Sequence, residues 1–319
     1  MRQAPFEAAH AREWQEFDLF LENKKNPPFD AAEMPERYRR ICHTLALAQD
    51  RQYSPELVDR LNRLALRGHH VLYQNRRRQS GRVLEFVLAG FPRLVRAEWR
   101  LVLAAGLLFF GPLGLLIAVL QVYPEFVHYL LAPEQIAQFH QMYDPGNKRL
   151  GMREADTSVA MFGFYIWNNV RIGFQTFAGG LAFGVGSLWF LAANGVIIGA
   201  VAGYLTQVGY SETFWSFVAG HSSPELLAIV LSGAAGLRLG MALIAPGGLS
   251  RKSALMAAAK PAVRLMYGAA LMFMFAAFVE AFWSPLTELP FDVKVGVGLA
   301  GWALALAYFL LAGRSRAAR

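Results

Sequence analysis

The sequence predicts an all-α, polytopic membrane protein with a soluble helical segment at its amino end. Three observations carry this. Of 319 residues, 55% are hydrophobic and only 17% are charged, where soluble domains carry about 25% charged residues. Residues 1–100 hold 18 Lys+Arg and 13 Asp+Glu, more than half of all the charges in the chain. After residue 100 the sequence turns into a series of long apolar runs. The formal net charge is nevertheless +8. So apolar a chain is not disordered, because disorder needs low hydrophobicity. With Cys42 as its only cysteine it is not a disulfide scaffold. A nucleic-acid binder would leave so much apolar sequence without a role.

The amino-terminal segment, 1–82, reads as a cytoplasmic helical bundle. Residues 1–30 are polar and charged and lack the apolar run of a signal peptide. Over 6–24, Trp14, Phe17, Phe20 and Leu21 recur at helical spacing, and Asn26-Pro27-Pro28 stops the helix. A second helix is expected over 35–51. A third is expected over 54–79, with Ser54 as N-cap, Pro55 at the first helical position and Leu57, Leu61, Leu64 and Leu66 as its apolar stripe. Arg76-Arg77-Arg78, Arg82, Arg93, Arg96 and Arg100 then lead to the first apolar span. Residues 83–100 read as a basic amphipathic helix along the membrane surface.

About six spans follow in the membrane domain, 101–319: 101–122, 170–193, 196–210, 224–245, 262–283 and 293–312. A crossing needs about 20 residues, so 170–193 with 196–210 reads as a pair with one short or re-entrant member. Lys/Arg placement sets orientation. The arginine-rich amino terminus, the 246–261 segment with Arg251, Lys252 and Lys260, and the tail 313–319 with Arg314, Arg316 and Arg319 all read as cytoplasmic. The loop 284–292, with Glu288 and Asp292, reads as external. So does 123–156, against the pull of Lys148, Arg149 and Arg153.

Small residues recur every fourth position: Gly180 and Gly184; Gly195, Gly199 and Gly203; Ser232, Gly236 and Gly240. Such spacing opens a groove where another backbone approaches closely. Packing within the chain explains it, and an oligomer interface or moving contact is the functional alternative. Asn194-Gly195 reads as a turn between two spans, or else Asn194 hydrogen-bonds across helices. In His221-Ser222-Ser223-Pro224-Glu225, proline disfavours helix at the residue before it. Ser223 therefore reads as N-cap of the span beginning at 224, with Glu225 matched to the helix dipole. That leaves His221 and the depth of Glu225 unexplained, and intramembrane ionisable groups are functional candidates. Arg238 either snorkels or pairs with a carboxylate or carbonyls. Glu280 falls on the same side as Glu225, so His221, Glu225 and Glu280 are expected to approach one another. Asn168-Asn169, followed by Arg171, reads as an interfacial junction or as the polar lining of a cavity mouth. The sequence has no phosphate loop, no HExxH, no GxSxG and no Cys/His zinc spacing. No cofactor or metal is therefore expected. His69-His70 reads as a solvated pair.

Asn168-Asn169, the glycine-rich FAGGLAFGVGSLWFLAANGVIIGAVAG of 177–203 and GHSSPELLAIVLSGAAGLRLG of 220–240 resemble the stage II sporulation protein M family. His221 and Glu225 match a motif that in the family more often reads Pro-His-Gly-x-x-Glu; here the proline and glycine are displaced. The resemblance implies a multi-pass protein of the bacterial inner membrane with no established catalytic activity. It implies partners in the cell envelope, since the family's namesake works with peptidoglycan-degrading proteins, and relatives often accompany AAA-type ATPases. Three functions follow as expectations. The first is a non-enzymatic scaffold or assembly component of an envelope complex, homo-oligomeric, with a soluble ATPase-type partner. The second is a permease or channel-like subunit using Asn194 and Arg238. The third is an intramembrane hydrolase using His221, Glu225 and Glu280.

Overall fold

The structure, a computed structural model, describes residues 2–22, 28–146, 150 and 157–314. Helix makes up 86% of it, with no strand among the described residues. Asn26-Pro27, Lys148, Arg149, Arg153, Arg316 and Arg319 lie outside the described residues, as do the side chains of Arg76, Arg77 and Arg78. The chain divides into two compact units, Met1–Glu85 and Phe86–Arg319.

The first unit comprises α1 (Gln3–Glu22), α2 (Met34–Asp50) and α3 (Pro55–Glu85). Phe6, Trp14 and Phe17 of α1 meet Ile41 of α2 and Leu57, Leu61 and Leu64 of α3 in one core. Each such side chain contributes roughly 1.5–3 kcal/mol on burial. Trp14 also satisfies its indole N–H, which donates to Thr44 Oγ1 at 3.3 Å. Ser54 caps α3 by accepting from the Leu57 N–H. The helix continues past the expected end at 79, through Ser80-Gly81, to Glu85, and the π-helical turn Phe86–Gly90 follows; Leu66 of the expected stripe is exposed.

In the second unit the basic stretch 83–100 is not one surface helix. It holds the end of α3, the π turn, and α4 (Phe91–Ala97). Its arginines have a specific structural use. Arg96 donates to the carbonyls of Phe309 (2.6 Å) and Ala312 (2.8 Å), and Arg93 to that of Gly313 (2.7 Å). These carbonyls close the last helix of the chain, where backbone acceptors otherwise lack partners.

The helices that follow are α5 (Trp99–Val122), α6 (Pro133–Tyr143), α7 (Ser158–Ala178), α8 (Val185–Gln207), α9 (Ser211–Ile244), α10 (Arg251–Phe282) and α11 (Phe291–Leu311). Five of them, α5, α8, α9, α10 and α11, are long and apolar enough to cross a membrane. Gly195, Gly199 and Gly203 of α8 lie against Phe109, Leu113 and Ile117 of α5 in the same order, so the two helices run parallel. Between them in the chain lies α7. Its 21 residues match a crossing in length, but Asn168, Asn169, Arg171 and Gln175 make it less apolar than the five.

Three expected boundaries move. The pair 170–193 and 196–210 is replaced by α7 and α8 with a break at 179–184, where Phe183 (φ 54°) and Gly184 (φ 83°) take left-handed backbone. Asn194-Gly195 is no turn. Asn194 donates to Phe190 O one turn back (2.7 Å), and Gly195 lets α8 close on the backbone of Phe109. The span expected at 224 begins at Ser211, with Pro224 inside the helix. Proline has no N–H to offer the Gly220 carbonyl one turn back, yet the helix runs through it inside the packed unit. Nearby, Ser222 Oγ donates to Ala219 O (3.0 Å) and accepts from Trp302 Nε1 (3.0 Å). Ser223 is thus not an N-cap but a buried mid-helix residue.

Candidate functional site

His221 and Glu225 are one helical turn apart and therefore share a face of α9. Glu280 sits near the end of α10. One ligand atom from each of the three lies within 4.8 Å of the others, the only such group of three or more His, Cys, Asp or Glu among the described residues. His221 Nε2 is 3.7 Å from Glu225 Oε2. The imidazole is 4% exposed.

The neighbours fix this geometry. His221 Nδ1 shares a 2.9 Å hydrogen bond with Ser284 Oγ, which points Nε2 toward Glu225. Phe217 packs edge-on against the imidazole, with ring centroids 5.3 Å apart. Asn169 Nδ2 donates to Glu280 Oε2 (3.4 Å), and Asn168 Nδ2 donates to Asn169 Oδ1 (3.2 Å). Behind Ser284, the buried Lys294 donates to the Ser284 carbonyl (2.8 Å), with its ammonium 5.7 Å from the Trp283 ring centroid. Tyr143, at the end of α6, is buried against Phe214 and Phe217. Burial first, and then the charges of Glu280 and Glu225, push its phenol well above the usual range, so it stays protonated.

Of the seven polar residues singled out in the sequence, five gather here: Asn168, Asn169, His221, Glu225 and Glu280. Asn168 and Asn169 lie within α7, not at a junction. Asn194 and Arg238 are elsewhere. Asn194 is satisfied within its own helix, and Arg238 Nη1 pairs with Glu98 Oε2 at 2.7 Å near the opposite end of α9. Ser284 and Lys294 escape a sequence reading. Ser284 follows a span as part of Trp-Ser-Pro, which looks like an ordinary interfacial turn. Lys294 looks like a flanking base at the start of a span, and only the folded chain buries it.

The small-residue grooves are filled from within the chain. A Cβ on Gly180 would collide with the backbone of Gly236, one on Gly240 with that of Gly184, and one on Gly199 would lie 2.6 Å from Leu113 O. Ser187 Oγ, packed over Gly236, donates to Thr176 O (2.6 Å), and Ser232 Oγ to Ala228 O (2.8 Å). These residues join helices of one molecule.

Chemically, one imidazole nitrogen and two carboxylates can hold a divalent cation or pass protons, and Ser284 adds a hydroxyl within reach of the imidazole. A family model described as Domain of unknown function (DUF8413) matches residues 4–74, within the first unit. Neither a curated protein nor a solved structure matches the chain. The model for Stage II sporulation protein M matches residues 101–285, which takes in α5 through α10, the glycine contacts and every residue of the His221 cluster except Lys294. The chain belongs to the stage II sporulation protein M family.

Proposed function

We propose that this membrane protein is a non-enzymatic scaffold, an assembly component of a cell-envelope complex. The observation that supports it best is the filled interior of the second unit. Gly180, Gly184, Gly236 and Gly240 bring backbones into direct contact, and Gly195, Gly199 and Gly203 do the same between α5 and α8. Close-packed interiors resist deformation, as suits a body that holds partners in place. A transport reading needs polar residues strung along a path, yet Asn194 bonds within its own helix and Arg238 pairs through Nη1 with Glu98, both apart from the cluster.

The Lys/Arg asymmetry supports an inner-membrane orientation with both termini cytoplasmic. With α7 taken as a sixth crossing beside the five apolar helices, the chain returns to its starting side, as this orientation requires. The first unit, a separate helical body with its own core, is the natural contact for a soluble partner of the ATPase type. Homo-oligomers would form through lipid-facing surface, because the glycine stripes are already occupied. The test is purification of the full chain from its own membranes in mild detergent. The expected result is an assembly of fixed stoichiometry that loses its soluble member when residues 1–85 are deleted. Recovery as a lone monomer at every detergent strength would sink the reading.

A second reading, an intramembrane hydrolase, is favoured by one observation, the convergence of His221, Glu225 and Glu280 with Ser284. Hydrolysis of a membrane-embedded substrate that survives in wild type and vanishes in Glu225→Gln would establish it over the first.

A further inference from the structure

We infer that His221, Glu225 and Glu280 form a binding site for one divalent transition-metal cation of the zinc class. The inference does not rest on the scaffold reading. It starts from charge. Two carboxylates and an imidazole share one pocket between α9 and α10, and their ligand atoms lie within 4.8 Å. Among the described residues no Lys or Arg lies within 4.0 Å of either carboxylate. The ion contacts of the second unit are His221 with Glu225, and the distant Arg238 with Glu98. Lys294, the nearest buried ammonium, donates to the Ser284 carbonyl instead. Buried charges are paired or coordinate metals, because taking an ion out of water costs several kcal/mol. Here two acids face each other without a base to balance them.

The surrounding bonds are the second observation. In metal sites the ligating imidazole bonds through its other nitrogen to an outer group, and ligating carboxylates are held in turn. Here Ser284 Oγ occupies His221 Nδ1 and leaves Nε2 facing Glu225. Asn169 holds Glu280 and is itself held by Asn168. These contacts hold two of the three donors, His221 and Glu280, and Glu225 faces the free Nε2 of the imidazole.

Donor chemistry selects the ion. One nitrogen and two carboxylate oxygens suit zinc, manganese or ferrous iron, whereas copper(I) and iron–sulfur clusters call for thiolates, and calcium and magnesium for oxygen alone. In a tetrahedral site with bonds of about 2.1 Å, donor atoms lie about 3.4 Å apart. His221 and Glu225 are near this at 3.7 Å, and Glu280, within 4.8 Å of both, needs to close by up to about 1.4 Å. No single motif holds all three ligands, because Glu280 lies near the end of α10, far along the chain from His221 and Glu225 of α9.

The test uses the full chain in detergent, free of any histidine tag, loaded with Zn²⁺ and dialysed against metal-free buffer. Elemental analysis is expected to give about one zinc per chain, and Zn²⁺ to raise the melting temperature. Glu280→Gln and Glu225→Gln should each lower zinc affinity at least about tenfold and remove the thermal shift, and Asn169→Ala should lower affinity by about 10- to 100-fold. His69→Ala with His70→Ala should change nothing, which excludes the only adjacent histidine pair as the source. If His221→Ala fails to fold, the two glutamine variants still decide. Folded wild type holding less than about a tenth of an ion per chain after loading with zinc, manganese or ferrous iron in turn would overturn the inference. So would unchanged zinc content in both glutamine variants.

Discussion

Two ion clusters lie near opposite ends of the membrane unit, and they are built on different terms. Near one end Glu98 meets Arg238 at 2.7 Å, an acid and a base that neutralise each other. At the other, Glu225 and Glu280 crowd one imidazole with no Lys or Arg in pairing range. The first balances its charges and joins the residue preceding α5, Glu98, to α9. The second is held in place by Ser284 and Asn169 but is not neutral if both acids ionise. Between them, α9 packs closely on its neighbours at Gly233, against the Leu191 side chain, and at Gly236, against the backbone of Thr176 and Phe177. A buried ion pair can serve as a fastener; a buried pair of acids asks for a cation or a proton.

The largest effect is expected from the contact that fixes α9 near its Arg238 end. In Gly236→Ala the new Cβ would lie 2.8 Å from the carbonyl oxygens of both Thr176 and Phe177 and would collide with Ser187 Oγ. Backbone cannot yield as a side chain can, so a loss of about 3 kcal/mol or more is expected, read as a collapse of thermal stability in detergent. Gly111→Ala is the control. Nothing lies within 4 Å of a Cβ there, so a gain of up to about 1 kcal/mol from helix propensity is expected. Equal losses in the two variants would show that helix flexibility, not close approach, accounts for the glycines.

The next effect separates the two clusters by sign. Glu98→Gln leaves Arg238 with a neutral partner. Because Arg238 keeps about a third of its side chain exposed, the cost should be about 1–3 kcal/mol, below that of breaking a fully buried pair. Glu280→Gln, measured in chelator, removes one of two like charges and should be neutral or stabilising by about 1 kcal/mol. Thermal melts of both variants check this. A loss in Glu280→Gln as large as in Glu98→Gln would mean that the second cluster is balanced by a group close by.

What could be read from the sequence follows physical lines. The core of the first unit was legible because Trp14, Phe17, Leu57, Leu61 and Leu64 repeat with the period of a helix. Charge placement put Glu225, at the start of its expected span, and Glu280, near the end of its own, on the same side, and the structure brings their ligand atoms within 4.8 Å of each other and of His221. What failed was punctuation. Asn194-Gly195 and Ser223-Pro224 are turn and cap signals in water, where the backbone can leave a helix and bond solvent. Inside a packed apolar unit the backbone has no such alternative, so α8 and α9 run through both. The partners that complete the cluster, Ser284 and Asn169, come from outside the motif. Their role depends on tertiary contact that no local spacing encodes.

The smallest expected effect lies in the first unit, where charges pair in water. Arg12 and then Arg37 hold the Glu16 carboxyl below its ordinary 4.5 through hydrogen bonds of 2.9 and 2.8 Å. The folded state therefore binds a proton at Glu16 less readily than the unfolded chain does. Its contribution is fully present above the unfolded pKa and fades as pH falls through the lower folded value. Exposed pairs contribute little, so the readout must be local. Hydrogen exchange in α1 and α2 of the full chain should be faster in Glu16→Gln than in wild type near neutral pH. That difference should shrink between about pH 5 and about pH 3 as the native carboxylate protonates. A difference that stays constant across the range would mean that Glu16 acts through packing, and the contrast between solvated pairs and the buried cluster would have to be drawn on geometry alone.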